Sequence, residues 1–212
     1  LEQGEIHTIM LPLPIENIRI TLTTEQRIAR LSGQFTANNK PGQLQGIFNW
    51  QQPQWWSKVS FRSDTLAYQP TDDILIYVKP DISFNLTPHS LNINGDIQVP
   101  KARIALKSLP EQAVSVSSDA VIVDADNSTQ NELDISTRLN LMLGDDVHFK
   151  GYGLETNLTG QMSIHQQQSD LLRAKGIIRL EDGTYQAYGQ SLSISDGDLI
   201  FIDELDNPQL RL

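Results

Sequence analysis

A two-residue alternation of apolar and polar side chains, nearly unbroken from Gly151 to Pro208, constrains this chain more than any other feature. Tyr152, Leu154, Thr156, Leu158, Gly160, Met162 and Ile164 fall two apart, with Glu155, Asn157, Thr159, Gln161 and Ser163 between them. Successive side chains of a strand point to opposite faces, so this spacing predicts a strand with one apolar and one wet face. Ala174, Gly176, Ile178 and Leu180 follow in the same phase, then Tyr185 and Ala187, Leu192 and Ile194, Leu199 and Phe201. Glu181-Asp182-Gly183 and Asp196-Gly197 read as hairpin turns, because Asp-Gly supplies the positive φ that tight hairpins need. The stretch is predicted to be a meander of antiparallel strands, each apolar on one side.

The same alternation runs through the rest of the chain. It groups Ile18, Ile20 and Leu22; Ala29 to Ala37; Leu44, Gly46, Phe48 and Trp50; Val59 and Phe61; Ile74 to Val78; Ile82 to Leu86; Leu91 to Val99; Ile104 and Leu106; and Val114 to Val123. The longest run, Leu133 to Leu143, would extend roughly 35 Å at about 3.3 Å per residue. Turn signals stand at Asn38–Gly42, Gln69–Asp73, Lys79-Pro80-Asp81 and Gly144-Asp145-Asp146. Thr23–Leu31 offers a helix start at Thr24, but alternation through Gly33 and Phe35 favours strand. Asp124–Glu132 reads as a polar loop. The apolar phase moves from odd (Val147, Phe149) to even (Tyr152, Leu154) across Gly151, which predicts a bulge there.

Glycine recurs in the middle of the apolar phase, at Gly33, Gly46, Gly95, Gly160 and Gly176. Two readings stand. The glycines serve a coiled, sharply bent sheet, or they leave room on a concave face for a guest. Their irregular spacing argues against propeller blades or a fixed-period solenoid.

No chemistry-bearing constellation emerges. The histidines, His7, His89, His148 and His165, have no ligand spacing. Asp124-x-Asp126-x-Ser128 starts like a calcium loop, then puts Thr129 and Ile135 where a glycine and a glutamate belong. Hydrolase elbows, zincin helices and phosphate loops are missing. The chain has no cysteine, so it uses no disulfide and no thiolate metal. No enzyme, metal or cofactor is expected. A formal charge of -10 argues against nucleic acid. No apolar window is long enough for a membrane-spanning helix, and both ends of the chain read as cuts through a longer β protein. Trp50 continues the phase of Phe48 and is expected inside. Trp55 and Trp56 read as a cap on an open end of the sheet, or as a contact with a membrane or partner.

A sheet with one apolar face must hide it. Each fully buried Leu or Ile contributes about 1.5–3 kcal/mol, so a dozen left wet would be ruinous. A two-sheet sandwich, a transmembrane barrel and a folded-over sheet lined by its own apolar face all answer the pattern. Charges at Arg103 and Lys107 and the lack of aromatic girdles speak against the barrel.

The string from Gly151-Tyr152-Gly153-Leu154 through Asp182-Gly183-Thr184-Tyr185-Gln186-Ala187-Tyr188-Gly189-Gln190 to Asp206-Asn207-Pro208 resembles the conserved C-terminal domain of the TamB family. The likeness extends back over Gly95–Ile104, Leu109-Pro110-Glu111 and Ser117-Ser118-Asp119. Residues 127–212 form its strongest part, and residues 1–126 follow it more in style. The resemblance implies the third architecture: an all-β, elongated, strongly curved antiparallel sheet folded over a hydrophobic groove, like a taco. It implies a periplasmic segment of an inner-membrane-anchored bridge that works with the outer-membrane barrel TamA. The implied cargo is phospholipid or unfolded outer-membrane protein. The in-phase residues expected to line the groove are Leu133, Ile135, Leu139, Leu141, Leu154, Leu158, Met162, Ile164, Ile178, Leu192, Ile194, Leu199 and Phe201. Two rivals remain: a chaperone-like module that templates client strands at a sheet edge, and a structural spacer with a packed core.

Overall fold

The computed structural model describes residues 4–106, 133–167, 171–187 and 189–211. They form β1 (Gly4–Ile6), β2 (Ile15–Glu25), β3 (Ile28–Ala37), β4 (Lys40–Asn49), β5 (Trp56–Ser63), β6 (Leu66–Thr71), β7 (Ile74–Leu86), β8 (Ser90–Leu106), β9 (Asp134–Gly151), β10 (Leu154–Gln166), β11 (Arg173–Ala187), β12 (Gln190–Phe201) and β13 (Gln209–Arg211). No helix occurs among the described residues. All strands join one open sheet in the order β1-β2-β3-β4-β5-β7-β8-β9-β10-β11-β12-β13, and β6 takes over from β5 along the far half of β7. The sheet does not close into a barrel, because β1 and β13 end it on opposite sides. The Thr23–Leu31 stretch is a hairpin, with Glu25 opposite Ile28 across Gln26-Arg27.

One pairing departs from the antiparallel expectation: β8 and β9 run parallel, from Ser90↔Asp134 to Leu106↔Gly151. Alternation carries no direction, so sequence spacing is blind to this. The chain between them, residues 107–133, reaches about 90 Å extended, enough to return along the roughly 56 Å of β8. Val114–Val123 and the whole of the Asp124–Glu132 loop reading fall in 107–132, outside the described residues.

Four expected turns lie elsewhere than their sequence signals. Lys79–Asp81 is inside β7, Gly144–Asp146 inside β9, Glu181–Gly183 inside β11 and Asp196-Gly197 inside β12. The turn that joins β9 to β10 is Tyr152-Gly153, with φ of 53° and 83°. Two consecutive positive φ values in a two-residue loop suit the right-handed twist of a hairpin. Asn38-Asn39, with φ of 48° and 58°, joins β3 to β4 in the same way. The odd-to-even change across Gly151 is therefore the turn's doing. The bulge lies further back in β9, where the pairing shifts between Asn157↔His148 and Gly160↔Leu143.

That shift belongs to a row of irregularities crossing the sheet. Others fall between Glu16 and Arg19 in β2, at the β5–β6 break, in β8 opposite Tyr77–Lys79, in β9 opposite Val99–Lys101, and in β11 opposite Glu155–Asn157. Bulges bend a strand and raise its twist. A row of them makes a fold line, here called the keel. The turns on either side of it form two lips. One lip carries the β2–β3, β4–β5, β7–β8, β10–β11 and β12–β13 connections; the other carries β6–β7, β9–β10 and β11–β12, while the β3–β4 turn ends level with the β5–β6 break.

Candidate functional site

Residues opposite one another in a ladder share a face, and the register carries one apolar face across the whole sheet. Leu22↔Leu31, Leu31↔Gly46 and Gly46↔Val59 lead to Val59↔Phe84, Phe84↔Ile93 and Ile97↔Leu141. Leu141↔Met162, Met162↔Gly176, Gly176↔Phe201, and nearby Leu199↔Leu210, complete it. This face is the more buried one. In β11, Ala174, Ile178 and Leu180 are buried while Arg173, Lys175, Ile177 and Arg179 are exposed. A flat single layer would expose both faces alike, so the sheet curls toward its apolar side and encloses a trough.

Of the expected lining residues, Ile135, Leu139 and Leu141 share this face with Leu154, Leu158, Met162 and Ile164, and with Ile178, Leu192, Ile194, Leu199 and Phe201. Leu133 does not join them. It precedes β9 and is exposed, since the ladder starts only at Ser90↔Asp134. Met162 and Ile178 are buried, Leu192 is exposed, and the others are half-buried. The packing is lateral. Val99, Ala102 and Val147 gather Ile76, Val78, Ile97, Ile104, Leu141, Leu143 and Leu158, all on adjoining strands. Met162, Ala174 and Ile178 gather a second group from β9 to β12 and Leu205. Neither cluster bridges the early strands to the late ones, as a sandwich core would.

Two hydroxyls at the keel escape a purely apolar reading. Thr156, only 1% exposed, donates through Oγ1 to the Glu181 carbonyl at 3.0 Å, beside the β11 bulge. Ser63, 2% exposed, donates to the Thr65 carbonyl at 3.1 Å, where β5 gives way to β6. Each buried hydroxyl is thus satisfied by a backbone carbonyl at a break in the ladder. The available sequence signal is a hydroxyl residue sitting in the apolar phase.

The glycines divide by mechanism. A Cβ on Gly160 (φ 119°) would lie 2.3 Å from the Ile177 carbonyl oxygen, and one on Gly176 (φ 153°) 2.3 Å from that of Gln161. Those two permit a close crossing of β10 and β11, a backbone need and not spare room for a guest. Gly33 and Gly46 have ordinary φ and face Leu44 and Leu31.

The outer face is ionic and wet. Asp146 meets Arg103 at 2.5 Å and Lys101 at 3.2 Å. Hydrogen bonding from Arg103, then Lys101, holds its carboxyl below the ordinary value. Glu155 meets Lys150 at 2.7 Å and His148 at 3.3 Å, and Lys150 first of all holds its carboxyl low. His148 also faces Asn157 at 3.2 Å. A hollow of about 380 Å³ lined by Asp96, Asn140, Gln161 and Lys175 lies on this outer face and not in the trough. No group of His, Cys, Asp or Glu able to hold a metal occurs among the described residues. At the lip, Trp50 and Trp55 lie with ring centroids 6.0 Å from Phe48. Trp50 is exposed, against the expectation from phase, because β4 ends at Asn49.

A sequence model described as the TamB C-terminal domain matches residues 16–212. A curated relative, the translocation and assembly module subunit TamB of Haemophilus influenzae, is 28% identical over 216 residues, covering 95% of this chain and 17% of that protein. The chain thus spans about a sixth of the length of that relative. No solved structure matches.

Proposed function

The chain belongs to the TamB C-terminal domain family, and on that premise we propose that it is a segment of a periplasmic bridge whose trough carries phospholipid acyl chains toward the outer membrane. Its place is in a translocation and assembly module, the assembly named for its relative, with the outer-membrane barrel TamA as partner and outer-membrane protein segments as a second cargo. The observation that carries this reading is the apolar register from β2 to β13, buried or half-buried through most of β3 to β11 and exposed at Leu22, Leu192 and Leu210 toward its ends. A spacer would pack that face shut. An open curl leaves acyl chains dry while their head groups stay wet between the lips. The mechanism is passive, with no residue in a chemical role.

A photo-crosslinking side chain at Leu141, with Met142 as the control, tests it in cells. Both are long apolar residues on β9, and only the face differs. Phospholipid adducts at Leu141 and none at Met142 are expected. Adducts at neither, in folded protein, would sink the conduit. A second reading has one observation in its favour: β13 covers β12 only at Asp198–Ile200, so Gln190–Gly197 has no outer partner strand among the described residues. Strand templating there predicts protein adducts at exposed Ser193 and none at Leu141.

A further inference from the structure

All three tryptophans, Trp50, Trp55 and Trp56, lie in or border the β4–β5 connection on one lip. The segment from Phe48 to Ser57 contains no charged residue. Trp50 and Trp55 lean on Phe48, whose partner Ala29 places it on the apolar face. Trp56 pairs with Asn49 and so faces outward. A lid closed over the trough would bury Phe48 and Trp50, yet they remain 38% and 36% exposed, and the outward-facing Trp56 is 39% exposed.

The surroundings are basic in an acidic chain. Arg30 and Lys58 flank Ile47 on the outer face, through Arg30↔Ile47 and Ile47↔Lys58. The Arg27 carbonyl accepts the Trp50 amide at 3.1 Å. Among the described residues none of these three cations forms an ion pair, and Glu25 at the end of β2, one acid against three cations, leaves the patch net positive. A notch of about 610 Å³ beside the indoles is lined by Pro53, Trp55, Trp56, Pro88 and His89, among others, without an acidic side chain.

We propose that this lip docks on a bilayer surface containing anionic phospholipid, with the indoles at head-group depth and Arg27, Arg30 and Lys58 against the phosphates. An indole has an apolar body and one N–H donor, which suits the boundary between acyl chains and water. Basic side chains gain at an anionic surface, and acidic ones lose. The docking stands apart from what the trough carries.

The chain provides its own probe, since every tryptophan belongs to the lip. Vesicles of phosphatidylethanolamine and phosphatidylglycerol, titrated into the intact protein, shift tryptophan emission to the blue, and brominated acyl chains quench it. Arg27→Gln, Arg30→Gln and Lys58→Gln each lower partitioning about fivefold, the weight of one cation at such a surface, and added salt does the same. Trp55→Gln with Trp56→Gln, in a protein of unchanged far-UV spectrum, abolishes co-flotation with vesicles. Ile194→Arg, on the trough wall, leaves vesicle binding intact, so loss of cargo and loss of docking are separable. Emission unmoved by vesicles overturns the proposal. So does a blue shift that needs only higher protein concentration, which marks a second copy as the occupant, or one that appears only with unfolded outer-membrane protein.

Discussion

Alanine at Gly176 and at Gly33 separates the two meanings of an in-phase glycine. At Gly176 the backbone sits at φ 153°, and a Cβ would stand 2.3 Å from the Gln161 carbonyl oxygen and 2.5 Å from Met162 Cα. Both obstacles are main chain of β10, so no rotamer relieves them. A non-glycine residue in such a region costs about 1–3 kcal/mol in strain alone, and displacing a paired strand adds to that, for a total of about 3 kcal/mol or more. At Gly33 φ is ordinary and the Cβ meets Leu44 Cβ at 3.3 Å. There the roughly 0.5–1 kcal/mol of chain entropy that alanine spares offsets a tight contact, and the net change stays within about 1 kcal/mol. Urea unfolding followed by circular dichroism reads both. With a slope toward the upper end of about 1–3 kcal/mol/M, Gly176→Ala lowers the midpoint by about 1 M and Gly33→Ala hardly moves it. Equal midpoints for Gly176→Ala and the parent would refute the close-crossing account and restore guest room as the reason for the glycine.

Two further outcomes follow from the keel and the outer face. Thr156→Val keeps the shape of the side chain but removes the buried donor to the Glu181 carbonyl, so it destabilises by about 0.2–2 kcal/mol, the cost of an unmet acceptor of about 1–3 less the gain of a buried methyl of about 0.8; a midpoint above the parent's counts against the keel hydroxyl. Asp146 and Glu155 have folded pKa values below their ordinary 3.8 and 4.5, so their ion pairs contribute fully at neutral pH and are lost only as pH falls through those depressed values; Asp146→Asn should leave the pH 5–8 profile parallel to the parent's and flatten the decline below about pH 4, an effect that salt erases because the pairs are exposed.

The strands and their apolar face were legible because period two is written directly into Leu139, Leu141 and Leu143, or Leu158, Gly160 and Met162. The bends were not, for a reason of parity. A two-residue hairpin puts paired residues three apart, as with Gly151 and Leu154, and so moves the apolar phase from odd to even. A one-residue bulge makes the same change, as between Leu180 and Gly183 in β11. Asp-Gly accompanies the bulge here, so both signals favoured a turn. Direction is equally silent, and the parallel pairing of β8 with β9 could not be read from either strand. At the site, Leu133 was over-extended because phase continues past the point where a partner strand stops. Trp50 was placed inside for the same reason.

The bulges of β11 and β12 yield the sharpest test of the keel. Both strands change phase at one level: Leu180 faces Gly197 and Gly183 faces Ile194, three residues apart on each. Their mutual register is therefore unbroken, while β11 gains one residue on β10 between Asn157↔Glu181 and Glu155↔Thr184. Deleting Asp182 alone matches β11 to β10 but puts it one residue out of step with β12, and a one-residue slip turns every later side chain of a strand to the other face. Deleting Asp196 alone does the reverse harm. Deleting both leaves Glu181 opposite Ser195, Gly183 opposite Ile194, and an even ladder from β10 to β12. Each single deletion should therefore cost several kcal/mol, enough to unfold a domain of ordinary stability, and the double deletion should recover much of it. Strong coupling of that sign in a double-mutant cycle means the two bulges act as one bend. Additive losses would mean they are independent irregularities, and the keel would not be a single fold line. The rescued double variant should also be flatter at this level, so a photo-crosslinker at Leu199 captures less phospholipid there than in the parent, although the lining side chains are unchanged.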